Sequence, residues 1–182
     1  LKPRRIVLFF VLGLAGLVGS IGLVMPNSFS VTRSIETVAP IGEVFETVSD
    51  MTRHPLWNAR KMRDDSMRFS FPGANHKGKG ATYEWTSKQS GSGRCTIIDA
   101  EQNEHISILV ELFGKGEGDA LWTFENKKDR TKITRTFQGS INVPIIGPWL
   151  VLIARPQDSL GADFDQELVS LKRIVEGAKA GP

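Results

Sequence analysis

From Ile6 to Met25 the chain carries no charge, and Lys2, Arg4 and Arg5 stand directly before that run. Wound at about 1.5 Å per residue, a segment of this length crosses the roughly 30 Å hydrocarbon layer of a bilayer. A helix apolar on every face is either the centre of a large core or a membrane span. The remainder of the chain, roughly 155 residues, is sized for one domain with its own core. The expected organisation is therefore a transmembrane signal-anchor over residues 1–26 and a single domain over residues 27–182. Flanking Lys and Arg stay on the cytoplasmic side of such a helix, which places the chain in the cell membrane, single-pass, with the domain extracytoplasmic. A cleaved signal peptide opens in the same way, but its apolar region is only about 7–15 residues long and ends at an A-x-A-like site. The run here is longer and lacks that site; Ser20 and Gly22 are the small residues a cleavage would have to use. Gly13, Gly16, Gly19 and Gly22 recur every third residue, so they drift around the helix instead of forming the four-residue seam of a helix dimer. The oligomeric state stays open.

Charge narrows the partners. The chain has 23 Lys and Arg against 20 Asp and Glu, a formal net charge of +3, and the three basic residues ahead of the apolar run account for the excess. Nucleic-acid binding needs basic residues gathered on one face; none are gathered, and no nucleic-acid partner is expected. Cys95 has no second cysteine to bridge to, so stability rests on packing. His54, His76 and His105 lie far apart without HExxH, CxxC or facial-triad spacing. No metal and no other cofactor is expected.

Beyond the apolar run the period of hydrophobicity sets the fold class. Phe29, Val31 and Ile35 alternate with polar neighbours as a half-buried strand requires, and only about four residues, at most some 14 Å of chain, separate that strand from the apolar run. Pro40 sits at a helix start, and Ile41, Val44, Phe45 and Val48 step by three and four. A short helical or turn segment, Met51 to Ala59, follows. Period-two runs then succeed one another: Met67, Phe69, Phe71; Ala81, Tyr83, Trp85; Arg94 to Ala100; Ile106, Ile108, Val110, Leu112; Ala120, Trp122, Phe124; Ile133, Arg135, Phe137. Turn residues such as Asn103-Glu104 join them. Leu160, Phe164, Leu168, Leu171 and Val175 finally form one stripe on a helix of roughly five turns. The class is α+β: an antiparallel sheet with a long C-terminal helix packed on it.

Particular residues carry a family likeness. Ala39-Pro40, Val44-Phe45, Val48-Ser49-Asp50 and Pro55-Leu56-Trp57-Asn58, followed by Gly78, Gly80, Tyr83 and Trp85, then Gly91, Gly93 and Ile97, the Asn103-Glu104 turn, and Thr131 with Ile133, fall in one order over residues 29–178. In that order they resemble the polyketide cyclase/dehydrase-type branch of the SRPBCC (START-like) superfamily, some of whose members also carry an N-terminal membrane anchor. The resemblance implies the helix-grip fold, a curved antiparallel sheet around a long C-terminal helix, here preceded by one transmembrane helix. It also implies a hydrophobic cavity between sheet and helix. It implies no particular reaction, because function follows the site and not the fold.

Trp57, Tyr83, Trp85, Trp122, Phe124 and Phe137 lie on the strand faces or beside the first helices, where large rings line either a ligand cavity or a plain core. Both readings give the same alternation. Arg135 is in phase with Ile133 and Phe137, and a guanidinium on a buried face must be paired or face a solvated cavity. It either holds an anionic or enolate group of a ligand or closes a salt bridge. Glu84 and Glu111 are out of phase with the apolar sets and read as solvated. No GxSxG or GxxxxGK[ST] pattern occurs, and no catalytic residue is assigned. The connection from Val143 to Ala154 is unusually apolar and too short to span a bilayer: either it is buried as a lid, or Ile145, Trp149 and Leu152 form a lip facing the membrane.

Two functions from different classes remain. One is a membrane-anchored extracytoplasmic binding module that holds a lipid or other hydrophobic small molecule between sheet and C-terminal helix, with the membrane as its second partner. The alternative is a polyketide cyclase/dehydrase-like enzyme acting on a hydrophobic substrate. The absence of an evident acid/base pair favours the first.

Overall fold

The computed structural model describes residues 3–113, 116–140, 143 and 146–177. Its first element, α1 (Pro3–Val24), is a single helix of 22 residues. Pro26 and two neighbours lead from it into strand β1 (Ser28–Thr37). Helices α2 (Ile41–Ser49) and α3 (Ala59–Arg63) follow, separated by a 3-10 turn over Met51–Leu56. Strands β2 (Arg68–Ser70), β3 (Thr82–Ser87), β4 (Gly91–Glu101), β5 (His105–Leu112), β6 (Gly116–Lys127) and β7 (Arg130–Ser140) come next, then α4 (Gly147–Ala154) and α5 (Pro156–Val175).

All seven strands pair antiparallel in the order β1-β7-β6-β5-β4-β3-β2. Because β1 closes onto β7, the sheet is a continuous meander with the first strand returned to its far edge. A register shift between Ile97 and Asp99 bends β4, as an extra residue in one strand does. The sheet curves around α5, which crosses β1 and buries Phe164, Leu168, Leu171 and Val175. The antiparallel sheet and long C-terminal helix are those the strand and helix periods pointed to, and their arrangement is the helix-grip fold that the family resemblance implied.

Capping explains where the short helices start. Asn58 accepts from the Lys61 amide and begins α3, while Asp50 accepts from the Thr52 amide and begins the 3-10 turn. The sequence pattern showed neither α3 nor α4, whose stretches carry no apolar stripe of three turns. In α4 the helix is set instead by Pro148 at its first turn.

Gly93 is fixed by close approach. A Cβ at Gly93 would lie 2.3 Å from the Trp85 ring and 2.4 Å from the Glu111 carbonyl oxygen, because Trp85 lies across Gly93 on the neighbouring strand. Gly93→Ala should therefore lower stability by about 1–3 kcal/mol. Gly42→Ala is the matched control. Its Cβ meets Asn103 Oδ1 at an unstrained 3.7 Å, and replacing a helical glycine should raise stability by about 0.5–1 kcal/mol. Denaturant unfolding of both variants checks the pair; equal effects would remove the close-packing explanation.

The segment expected to anchor the chain is thus helical in its backbone. Among the described residues no helix is long and apolar enough to cross a membrane, so membrane insertion rests on the sequence of the Ile6–Met25 run. The described large side chains of α1, Phe10, Val11, Leu12, Leu17 and Leu23, are exposed. Helix α4 touches both α1 and β1. Of the apolar connection, Val143, Ile146, Leu152 and Ile153 are exposed, Trp149 and Val151 half-buried, and Gly147 and Pro148 buried, so the described residues are covered on one side and open on the other. Ile145 lies outside the described residues.

Candidate functional site

The space between sheet and α5 is filled differently in its two halves. At the end of the sheet bearing the β6–β7 hairpin, Val44, Phe45, Val48, Met51, Ile97, Ile106, Phe124, Ile133, Leu171 and Val175 pack into a continuous core. At the opposite end the same inward face encloses a cavity of about 330 Å³. Its walls are Phe29, Phe69, Tyr83, Trp85, Val110, Leu112 and Phe137 from the strands, Met67 just before β2, and Leu160 and Phe164 from α5. Phe137 bounds it by lying over Gly118 and Gly139, where a Cβ would come within 2.4 Å and 2.9 Å of the ring.

Exposure shows where the cavity opens. Gly116, Glu117 and Ser159 on its lining are exposed, whereas Tyr83, Cys95 and Glu167 are buried. The mouth thus lies among the start of β1, the start of β6, the end of β7 and the start of α5, the end of the sheet to which α1 and α4 are joined. The floor lies deeper, toward the packed half.

That floor is polar. Arg135 on β7 reaches α5, where its Nη1 forms an ion pair with Glu167 Oε2; only 16% of the Arg135 side chain and 5% of the Glu167 side chain are exposed. The guanidinium also lies 3.9 Å from the centre of the Phe164 ring and 5.0 Å from that of Trp122, so two aromatic faces receive its charge. Glu167 Oε1 accepts from the Ala59 amide at 3.2 Å, which ties α5 to α3. One turn earlier, Asp163 accepts from Arg60 Nε at 3.2 Å and pairs with Arg63. A smaller chamber of about 20 Å³, bounded by His54, Trp57, Trp122 and the Arg135–Glu167 pair, lies beneath. It is the size of about one water molecule.

His54, Tyr83, Cys95 and Arg135 are pushed toward their neutral forms. His54 is buried and its ring lies 4.4 Å from that of Trp57. Its Nε2 is 2.8 Å from the Val48 carbonyl oxygen, so that nitrogen carries the proton. Burial lowers the His54 pKa to about 4. Burial likewise raises the Cys95 thiol to about 11 and lifts the hydroxyl of Tyr83, its hydrogen-bonded cross-strand neighbour, well above the usual value for a tyrosine. Arg135 is lowered to about 10, again by burial, and stays charged at neutral pH. None of these groups is poised near pH 7.

Of the residues singled out in the sequence, Tyr83, Trp85, Arg135 and Phe137 line the cavity. Trp57 and Trp122 line the chamber beneath it, with their rings edge to face 5.4 Å apart. Phe124 stands in the packed half against Phe45. Arg135 closes a salt bridge and also lines the cavity. Glu167, Asp163 and Arg60 escaped notice, although residues 160, 163, 164, 167 and 168 share one helical face and the two carboxylates fall within it. Glu84 pairs with Arg94 at 2.9 Å on the outer face, near Glu111, as their phase required. Among the described residues no group of His, Cys, Asp and Glu is arranged to hold a metal ion.

No protein-family model matches the chain, and no curated protein matches it in sequence. Solved structures do match in fold. Norcoclaurine synthase from Thalictrum flavum, solved in complex with dopamine and hydroxybenzaldehyde, superposes with a TM-score of 0.63 at 13% identity, covering 88% of this chain and 94% of that one. The KanY protein gives 0.62 at 15% identity over 82% and 99%. CalU16 from Micromonospora echinospora gives 0.55 at 15% identity over 84% and 78%. At these identities the likeness establishes the fold alone, the helix grip.

Proposed function

We propose that the protein is a membrane-anchored binding module that holds one hydrophobic small molecule or lipid between its sheet and C-terminal helix, on the extracytoplasmic side of the cell membrane. The observation that carries this reading is the cavity, mostly apolar in its walls and open at the end of the domain next to α1 and α4. Pockets of roughly 300–1,000 Å³ with apolar walls and few polar groups are those that enclose small ligands. Trp57, Tyr83, Trp85, Trp122, Arg135 and Phe137 are the proposed contacts, with Phe124 supporting them from the core. The anchor supplies the geometry. Three residues between α1 and β1 reach only about 10 Å, so a domain carried by an inserted α1 has its mouth at the bilayer surface.

Exposed apolar residues on α4 fit the same placement, each buried side chain adding about 1.5–3 kcal/mol to membrane contact. In a Cys95→Ser background, Ile153→Cys carrying an environment-sensitive dye should emit as in lipid when the full chain sits in a bilayer disc. The same dye at Lys127→Cys, on the far hairpin, should emit as in water. Water-like emission from both sites would detach the mouth from the membrane. For the anchor itself, a reporter fused behind Pro182 should be active only outside the cytoplasm, and a cytoplasmic signal would reverse the topology.

One observation favours the second reading, a polyketide cyclase/dehydrase-like enzyme: a guanidinium at the cavity floor suits a developing enolate. Proton transfer at neutral pH, however, calls for a group titrating near 7, and His54, Tyr83 and Cys95 are all shifted away from that range. Binding therefore ranks ahead of catalysis.

A further inference from the structure

The chemistry of the cavity floor specifies one end of the ligand. Among the described residues, three buried donor atoms on residues that line the cavity or the chamber beneath it have no hydrogen-bond partner: Nε of Arg135 and the indole nitrogens of Trp57 and Trp85. Arg135 Nη1 is taken up by Glu167 Oε2 in the ion pair. Buried donors left unpaired are costly. The guanidinium, clamped between Phe164 and Trp122, is not free to turn away.

Charge then decides what kind of acceptor fits. Glu167 already neutralises Arg135, and the surplus cation of the Arg60–Arg63–Asp163 group is solvated, so a carboxylate or phosphate brought against the buried pair would add an uncompensated charge in a buried place, which is strongly unfavourable. A neutral acceptor incurs no such cost. We infer that the ligand is an apolar molecule ending in a neutral hydrogen-bond acceptor, a ketone, quinone or ester carbonyl, that enters carbonyl first and accepts from Arg135 while its apolar body fills the wider cavity. This deepens the binding reading and rests on it.

Three probes that differ at one group test it: acetylnaphthalene, ethylnaphthalene and naphthoate, titrated against the full chain in bilayer discs and read by quenching of tryptophan emission relative to empty discs. The ketone should bind at least about tenfold more tightly than either of the others, as expected of one hydrogen bond to a charged donor. Arg135→Met combined with Glu167→Met, which leaves no unpaired buried charge, should bring the ketone down to the level of the hydrocarbon. Glu167→Gln should raise naphthoate at least about tenfold, since the floor then carries one unbalanced positive charge. Equal, saturable affinities for all three probes, or naphthoate ahead of the ketone, in the unaltered chain would overturn the inference and leave the binding reading standing. No saturable binding of any probe would overturn both. The ranking in the unaltered chain decides the matter even if a variant fails to fold.

Discussion

Glu167→Ala should lower the stability of the domain by about 3–5 kcal/mol, the usual consequence of leaving a buried charge without its partner. The substitution leaves the Arg135 guanidinium buried against Phe164 and Trp122 and also deprives the Ala59 amide of its acceptor. Arg135→Met combined with Glu167→Met should recover most of the loss, because apolar residues of similar volume replace a buried ion pair at little cost. Denaturant unfolding of the two single variants and the double variant measures this as a cycle, and the singles should be far from additive. A loss under about 1 kcal/mol from Glu167→Ala alone is the range of a solvated surface pair and would mean that water reaches the floor freely.

Acidification should weaken the fold before the carboxylates begin to titrate. His54 takes up a proton near pH 6.5 when the chain is unfolded but only near pH 4 when it is folded, so across that window the unfolded state binds more protons. Stability then falls as pH falls. Contributed in full above pH 6.5, the His54 term declines below that value and is gone by about pH 4; the shift corresponds to about 3 kcal/mol. Asp64, Asp99, Glu125 and Glu176 have pKa values lowered by hydrogen bonds and by neighbouring cations. Their contributions are lost only below the ordinary carboxylate range, at lower pH than the onset for His54. Chemical unfolding at pH 7, 6 and 5 should show the decline, and His54→Gln, which removes the titration, should flatten it. An unchanged slope in that variant would assign the effect to other groups.

The strands and α5 were legible because their periods are local: Tyr83 and Trp85, or Leu168 and Leu171, declare a face within one or two turns of chain. Arg135 was legible for the same reason, being charged in phase with Ile133 and Phe137. The floor it belongs to was not. Glu167 and Asp163 sit within the apolar arc of α5, and a carboxylate there becomes tolerable only once Arg135 from β7, or Arg60 and Arg63 from α3, arrives through the tertiary fold. Nor does alternation tell Phe124 from Phe137. Both face inward, but one packs on Phe45 while the other bounds the cavity, because α2 fills one half of the sheet's concave face and leaves the other half open. Helix α4 was read as a connection because its residues are apolar without an amphipathic period; contact with α1 and β1, and not a stripe of its own, determines how it lies.

Whether the cavity takes a single guest is the central question, and one titration addresses it most directly. The full chain in bilayer discs is titrated with acetylnaphthalene, alongside a Leu112→Trp variant in which a larger ring projects from the cavity wall. Quenching should saturate at one probe per chain in the unaltered protein and vanish in the filled variant, while circular dichroism shows the fold retained. Quenching that rises linearly without saturation, and is the same in both proteins, would mean that the probe only partitions into lipid and that the cavity binds nothing.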